Sequence, residues 1–128
     1  MRRLVLGMVM AAAASMPTMA FAEAGNAEAG QRVFNQCRAC HTINEGGRSG
    51  VGPNLWGIVG RRAGAVEGFR YSSNMRELAA GGLTWTEDRL RAYIQNPKAV
   101  VPQGSMSYVG LRNDAQLNDL MAYLAAQK

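Results

Sequence analysis

Cys37-Arg38-Ala39-Cys40-His41 is the stretch of this chain best equipped for chemistry. The spacing C-x-x-C-H is the attachment signature of c-type haem. The two thiols add across the vinyl groups of the porphyrin, and the adjacent imidazole takes one axial position on the iron. One helical turn separates the cysteines, so both sulfurs reach the same edge of the macrocycle. The next residue then brings its ring beneath the metal.

Two other chemistries use similar residues. A thioredoxin-like C-x-x-C needs alternating strands and helices around it, and no such pattern is visible. A structural zinc site needs four Cys or His ligands. The chain has two Cys and one His, one ligand short of a protein-only site. A disulfide closed over two residues would constrain little of the unfolded chain. Covalent haem remains.

A single histidine excludes bis-histidine ligation within one chain. The usual second ligand is then a methionine thioether. Beyond the amino-terminal segment the candidates are Met75, Met106 and Met121. Met121 lies on an apolar helical stripe, where core packing explains it. Met75 falls in a short helical stretch and is suited to filling a gap. Met106 follows Pro102-Gln103-Gly104-Ser105, irregular chain that can carry a sulfur to the face opposite His41. Met106 is the expected ligand; Met75 or an open sixth position are the alternatives.

Met1-Arg2-Arg3 is followed by an apolar run, then Pro17, then Ala20-Phe21-Ala22 as an A-x-A cleavage site. This predicts a secretory signal peptide over 1–22 and a single domain over 23–128. The rival is an uncleaved anchor, but the uncharged run barely reaches spanning length and contains a proline. Export to the periplasm is the expected fate, with no stable membrane insertion. The whole chain has 14 Lys+Arg and 9 Asp+Glu. Loss of Arg2 and Arg3 leaves 12 against 9, a formal +3. That excess suits an acidic partner surface. No basic run or basic-aromatic patch points to nucleic acid.

A domain of this size has little core of its own, and a buried porphyrin would add apolar surface. The fold class reads as all-α, three main helices plus a short one and long loops around the cofactor. Ala27 to about Arg38 reads as the first helix. His41 to Arg70 is glycine-rich and reads as loop. A short helix is predicted over Ser73–Ala80. Thr84-Trp85-Thr86-Glu87 matches a T-x-x-E capping box and opens the next helix, which Pro97 ends. The last helix opens at Asn113, with Leu117, Leu120, Met121 and Leu124 at i, i+3, i+4 and i+7.

In order along the chain stand Gly30 with Phe34, Cys37 to His41, Gly52-Pro53-Asn54-Leu55, Gly60-Arg61, Phe69-Arg70-Tyr71 and Leu83-Thr84-Trp85. Tyr93 to Lys98, Pro102 to Met106 and Leu120 to Tyr123 follow. This series resembles the class I cytochromes c, the mitochondrial type and its soluble bacterial relatives. The resemblance implies a Pro53 carbonyl accepting from the His41 ring, and Arg61, Tyr71 and Trp85 around a buried haem propionate. It also implies a Tyr93 hydroxyl near the methionine sulfur, and Gly30 and Phe34 packed against Leu120 and Tyr123. Gly104, Ser105 and Tyr108 replace a hydroxyl residue, a lysine and a phenylalanine of the mitochondrial pattern. Asn74 is the candidate for that pattern's buried asparagine.

Two protein ligands leave no open coordination position, so substrate chemistry at the iron is not expected. The expected role is a one-electron carrier, not an enzyme, acting as a monomer with transient redox partners. The alternative is a dedicated electron-transfer subunit of a periplasmic dehydrogenase or oxidase. A peroxidase or gas sensor would require the methionine bond to be absent or labile.

Overall fold

The computed structural model of the chain describes residue 5, residues 7–13 and residues 25–128. The cleavage site predicted after Ala22 lies outside the described residues. Five helices follow in order: α1 (Ala27–Phe34), α2 (Ser73–Ala80), α3 (Glu87–Gln95), α4 (Pro97–Val100) and α5 (Asp114–Ala126). Among the described residues the only extended pairing is one antiparallel bridge, Arg62 with Thr84. The architecture is all-α.

α1 starts because Asn26 caps it, its side chain accepting from the Ala29 N–H. This satisfies one of the donors that every helix start leaves unpaired. α1 ends at Phe34 and not near Arg38. Beyond it the chain tightens: Gln36 N–H bonds to the Val33 carbonyl and Cys37 N–H to that of Phe34, at 3.4 and 2.8 Å. These are i to i+3 closures of the kind that finish a helix. Asn35 also turns its side chain to the Arg38 Nε, at 3.0 Å, a local bond that competes with helix propagation. The turn still carries the attachment residues, with Cys40 and His41 N–H groups both directed at the Cys37 carbonyl.

α1 crosses α5, and the crossing is the main helix–helix contact. Phe34, Leu117 and Leu120 are almost fully buried there. The Phe34 and Tyr123 rings lie 5.5 Å apart, tilted by 51°. Burial of Phe34 alone contributes about 2–3 kcal/mol. The crossing is close because Gly30 has no side chain. A Cβ there would fall on the Asp119 carbonyl and within 2.7 Å of the Tyr123 Cβ.

α2 occupies the predicted span, with the Ser72 side chain accepting from the Met75 N–H. α3 begins later than the T-x-x-E pattern predicts. Its cap is Thr86, accepting from the Arg89 N–H. Thr84 is drawn instead into the bridge with Arg62, flanked by Ala63 N–H to the Leu83 carbonyl and Trp85 N–H to the Arg61 carbonyl. Pairing with the long loop overrides the local capping signal. Thr86→Ala should therefore lower stability by about 1 kcal/mol in denaturant titration, while Thr84→Ala leaves the α3 start intact by amide hydrogen exchange.

Pro97 does end α3, but it also opens α4, which the sequence reading missed. The fixed φ of proline suits a first helical position. α5 starts where predicted, with Asn113 accepting from the Gln116 N–H at 3.0 Å. Its apolar stripe buries Leu117, Leu120, Tyr123 and Leu124.

Candidate functional site

Loop 41–70 is anchored from within by one buried polar residue, Asn54. Its Nδ2 donates to Thr42 Oγ1 and to the Asn44 carbonyl, at 2.8 and 2.9 Å. Its Oδ1 accepts from the Trp56 N–H, and its own N–H donates to Ser49 Oγ. Four bonds through one side chain and its amide explain how a glycine-rich loop holds one shape. The sequence reading quoted Asn54 without giving it this role; composition carries no signal for it beyond its place after Gly52-Pro53.

That loop places His41. The ring Nδ1 lies 2.7 Å from the Pro53 carbonyl oxygen. A carbonyl only accepts, so Nδ1 is the donor and Nε2 keeps its lone pair. Burial pushes the imidazole below its ordinary range, Pro53 opposes the shift and Arg61 adds to it. The ring is thus neutral at pH 7, the form that binds a metal. Gly52 is required for the same reason of space: a Cβ there would fall on the His41 ring, 2.6 Å from Nδ1.

A cavity of about 250 Å³ opens beside this ring. All nine residues nominated from the sequence line it: Cys37, Cys40, His41, Pro53, Arg61, Tyr71, Trp85, Tyr93 and Met106. Apolar groups close the rest of its wall, among them Phe34, Leu55, Ile58, Leu90 and Leu120. Met75 lines it too and is buried in the core. Met121 packs against the core.

The polar groups have distinct supports. Arg61 Nη1 and Nη2 donate to the Trp56 and Asn54 carbonyls, at 3.2 and 2.9 Å. Guanidinium has five donors, so three remain for another acceptor. Burial lowers the proton affinity of Arg61, with Tyr71 opposing; a half-buried cation of this kind favours an anion beside it. The Tyr71 hydroxyl accepts from the Val66 N–H at 3.0 Å and still has its own hydrogen to give. Trp85 stacks on Tyr93 with centroids 4.8 Å apart. Burial raises the Tyr93 phenol, which stays protonated.

Cys37 is half-buried and Cys40 exposed, both as free thiols. Burial, then repulsion from Cys40, pushes the Cys37 thiol up to about 11. Conversion to a thioether removes that ionisation altogether. Asn74, the candidate for the buried asparagine of the mitochondrial pattern, is half-buried on α2. Its Oδ1 accepts from the Gln103 N–H at 2.9 Å, tying α2 to the chain before Met106.

The residues present fit a covalently held haem. Two thiols sit next to a neutral imidazole with a free nitrogen, on an apolar cavity that also takes a thioether and a cation. No group of three or more His, Cys, Asp or Glu suited to a bare metal ion occurs among the described residues.

The family model described as cytochrome c matches residues 27–128. A cytochrome c2 of Blastochloris viridis is 41% identical over 124 residues, covering 97% of this chain and 92% of that protein. A cytochrome c-550 of Nitrobacter winogradskyi is 46% identical over 101 residues, covering 79% of this chain and 90% of that protein. The solved structure of cytochrome cH from Methylobacterium extorquens superposes with a TM-score of 0.71 at 36% identity, covering 78% of this chain and 97% of that one. With a C-x-x-C-H turn opening onto an apolar cavity and relatives matched along nearly the whole chain, the protein belongs to the cytochrome c family.

Proposed function

We infer that the protein is a one-electron carrier, working in the periplasm with one haem c attached through Cys37 and Cys40. The observation that carries this reading is the convergence of Cys37, Cys40, His41 and Met106 on one apolar cavity. When bound, the haem supplies a ferrous–ferric couple that exchanges single electrons. His41 would hold the iron through Nε2, its ring direction fixed by the Pro53 carbonyl; such a bond also makes the imidazole a stronger donor. Met106 would supply the second protein ligand. Met75 lines the same cavity, but it is bound into α2 and the core, whereas Met106 sits in irregular chain with Gly104, Ser105, Ser107 and Tyr108 around it on the cavity wall.

Two protein ligands leave no place for a substrate, so the protein is a carrier and not an enzyme. Arg61, Tyr71 and Trp85 would donate to a buried propionate, which otherwise would be costly to keep charged. Tyr93 lines the same cavity as Met106, where its hydroxyl would approach the thioether sulfur. The apolar wall excludes water and disfavours the extra charge of the ferric form; with a soft thioether ligand this raises the reduction potential.

The signal segment over 1–22 directs export, with cleavage after about Ala22. No helix among the described residues is long and apolar enough to cross a membrane. The formal +3 of the remaining chain favours acidic redox partners, met transiently over less than about 1,200 Å². The carrier is monomeric. The subunit alternative gains no support from the relatives, which are themselves small cytochromes of similar length.

A redox titration of the exported protein, followed by reduced-minus-oxidised spectra, tests the reading. A single one-electron transition at a high potential is expected, with the protein running as a monomer on gel filtration of native extract. A colourless protein with both thiols reactive would overturn it. Recovery only in a large stable complex would favour the subunit alternative.

A further inference from the structure

The segment that carries Met106 is held very unevenly. Its entry is fixed by Val101 N–H to the Pro97 carbonyl, Gly104 N–H to the Val101 carbonyl and Gln103 N–H to Asn74 Oδ1, all within 3.0 Å. Its exit is fixed by Leu111 N–H to the Ile94 carbonyl at 3.0 Å. Just before it, Gly110 adopts φ +111°, and a Cβ there would fall on the Gln95 carbonyl. Between these anchors, residues 105–109 form neither helix nor strand. Ser105, Ser107 and Val109 are exposed, Val109 by 87%.

Among the described residues, one hydrogen bond joins 105–109 to another part of the chain. The Tyr108 hydroxyl donates to Gln36 Oε1 at 3.0 Å, across 72 residues of sequence. Gln36 immediately precedes Cys37, and both Gln36 and Tyr108 line the cavity. The bond therefore crosses from the segment of Met106 to the turn that bears the attachment cysteines.

We propose that the Tyr108–Gln36 hydrogen bond is a clasp across the cavity mouth that keeps Met106 seated on the iron, with Tyr108 and Gln36 as positioning residues. The proposal rests on Met106 as the sixth ligand. A short irregular segment without its own hydrogen bonds has many accessible backbone states, and such segments open locally at low free energy. The Tyr108 ring packs against the core, and its hydroxyl adds the one hydrogen bond, among the described residues, that joins the segment to a second element. Gln36 acts here purely as an acceptor, so any acceptor of similar reach preserves the clasp. Loss of one such bond changes an opening equilibrium by about fivefold.

The ferric holoprotein at neutral pH is titrated with guanidinium chloride. The sulfur–iron absorption band reports seated Met106, and far-ultraviolet circular dichroism reports the helices. Tyr108→Phe and Gln36→Met are each expected to raise the population lacking the band about fivefold below the helix transition, leaving that transition in place. Gln36→Glu should behave like wild type, because a carboxylate accepts the same bond. The double variant Tyr108→Phe/Gln36→Met should be no worse than either single one. Band-loss curves that superimpose on wild type, that move only together with the helix signal, or that add in the double variant would each overturn the clasp. Met106→Ala in the same series separates the two readings: if it keeps the band, the ligand reading is what has failed. Backbone NMR order parameters at residues 105–109 then judge the clasp by themselves, lower values in Tyr108→Phe and Gln36→Met supporting it and unchanged values refuting it.

Discussion

Met106→Ala should retain its covalent haem, lose the sulfur–iron absorption band and show a reduction potential lower by an amount on the order of a hundred millivolts or more. Attachment depends on Cys37 and Cys40, which this substitution does not touch. Seating depends on His41, whose ring remains held by Pro53 at 2.7 Å. What disappears is the thioether proposed as the sixth ligand, which favours the ferrous form. Water or an added small ligand then reaches the iron, so binding of imidazole or cyanide should tighten. Met75→Ala is the necessary comparison, because Met75 shares the cavity. It is a core residue at the start of α2, so its truncation should cost about 2–4 kcal/mol in stability and leave band and potential near wild type. The reverse pattern, with the band lost in Met75→Ala and kept in Met106→Ala, would reassign the sixth ligand.

Gly30→Ala is expected to destabilise the holoprotein by about 2 kcal/mol, a fall of roughly 10 °C in Tm for a domain of this size. Two effects oppose each other here. Alanine in a helix interior is favoured over glycine by about 1 kcal/mol. Against that, the added Cβ falls on the Asp119 carbonyl and within 2.7 Å of the Tyr123 Cβ. Neither neighbour is a flexible side-chain end; one is backbone and the other is the root of a buried aromatic. α1 must therefore move off α5, loosening Phe34 against Tyr123 and Leu120. Overpacking of this kind costs about 1–3 kcal/mol or more, and it outweighs the propensity gain. Thermal and guanidinium unfolding, read by circular dichroism and by the haem absorption together, would decide the matter. Unchanged or higher stability would mean that the helices do not approach so closely in solution. Glu28→Ala, on the exposed face of α1, should stay within about 0.5 kcal/mol of wild type and serves as the control.

The parts of the fold carried by local chemistry were legible. The span of α2 and the start of α5 follow from Ser72 and Asn113, side chains that cap within three residues of themselves. The failures occur where a partner far along the chain intervenes. Thr84 has the right residues after it to cap α3, but Arg61 to Ala63 of the long loop pull its segment into the bridge, and Thr86 takes over. The bond from the Gln103 N–H to Asn74, which ties α2 to the chain before Met106, likewise spans 29 residues. The end of α1 is a different case: local i to i+3 turns and the Asn35–Arg38 bond stop it at Phe34, and the apolar pattern does not report them. Asn54 and the Tyr108–Gln36 pair were invisible as a node and a clasp, since each exists only across folded distance.

By itself the sequence determined the attachment chemistry and narrowed the ligand candidates to His41 and a few methionines. A C-x-x-C-H spacing and a lone histidine are one-dimensional facts, and covalent chemistry within five residues needs no tertiary contact to be specified. The tertiary structure alone decided how the site is held. The tautomer of His41 depends on a carbonyl 12 residues away. The spare donors of Arg61 depend on two carbonyls of the long loop. The closeness of α1 and α5 depends on the absence of one Cβ. Orientation and clearance are relations between surfaces brought together by folding, and no local pattern of residues encodes them.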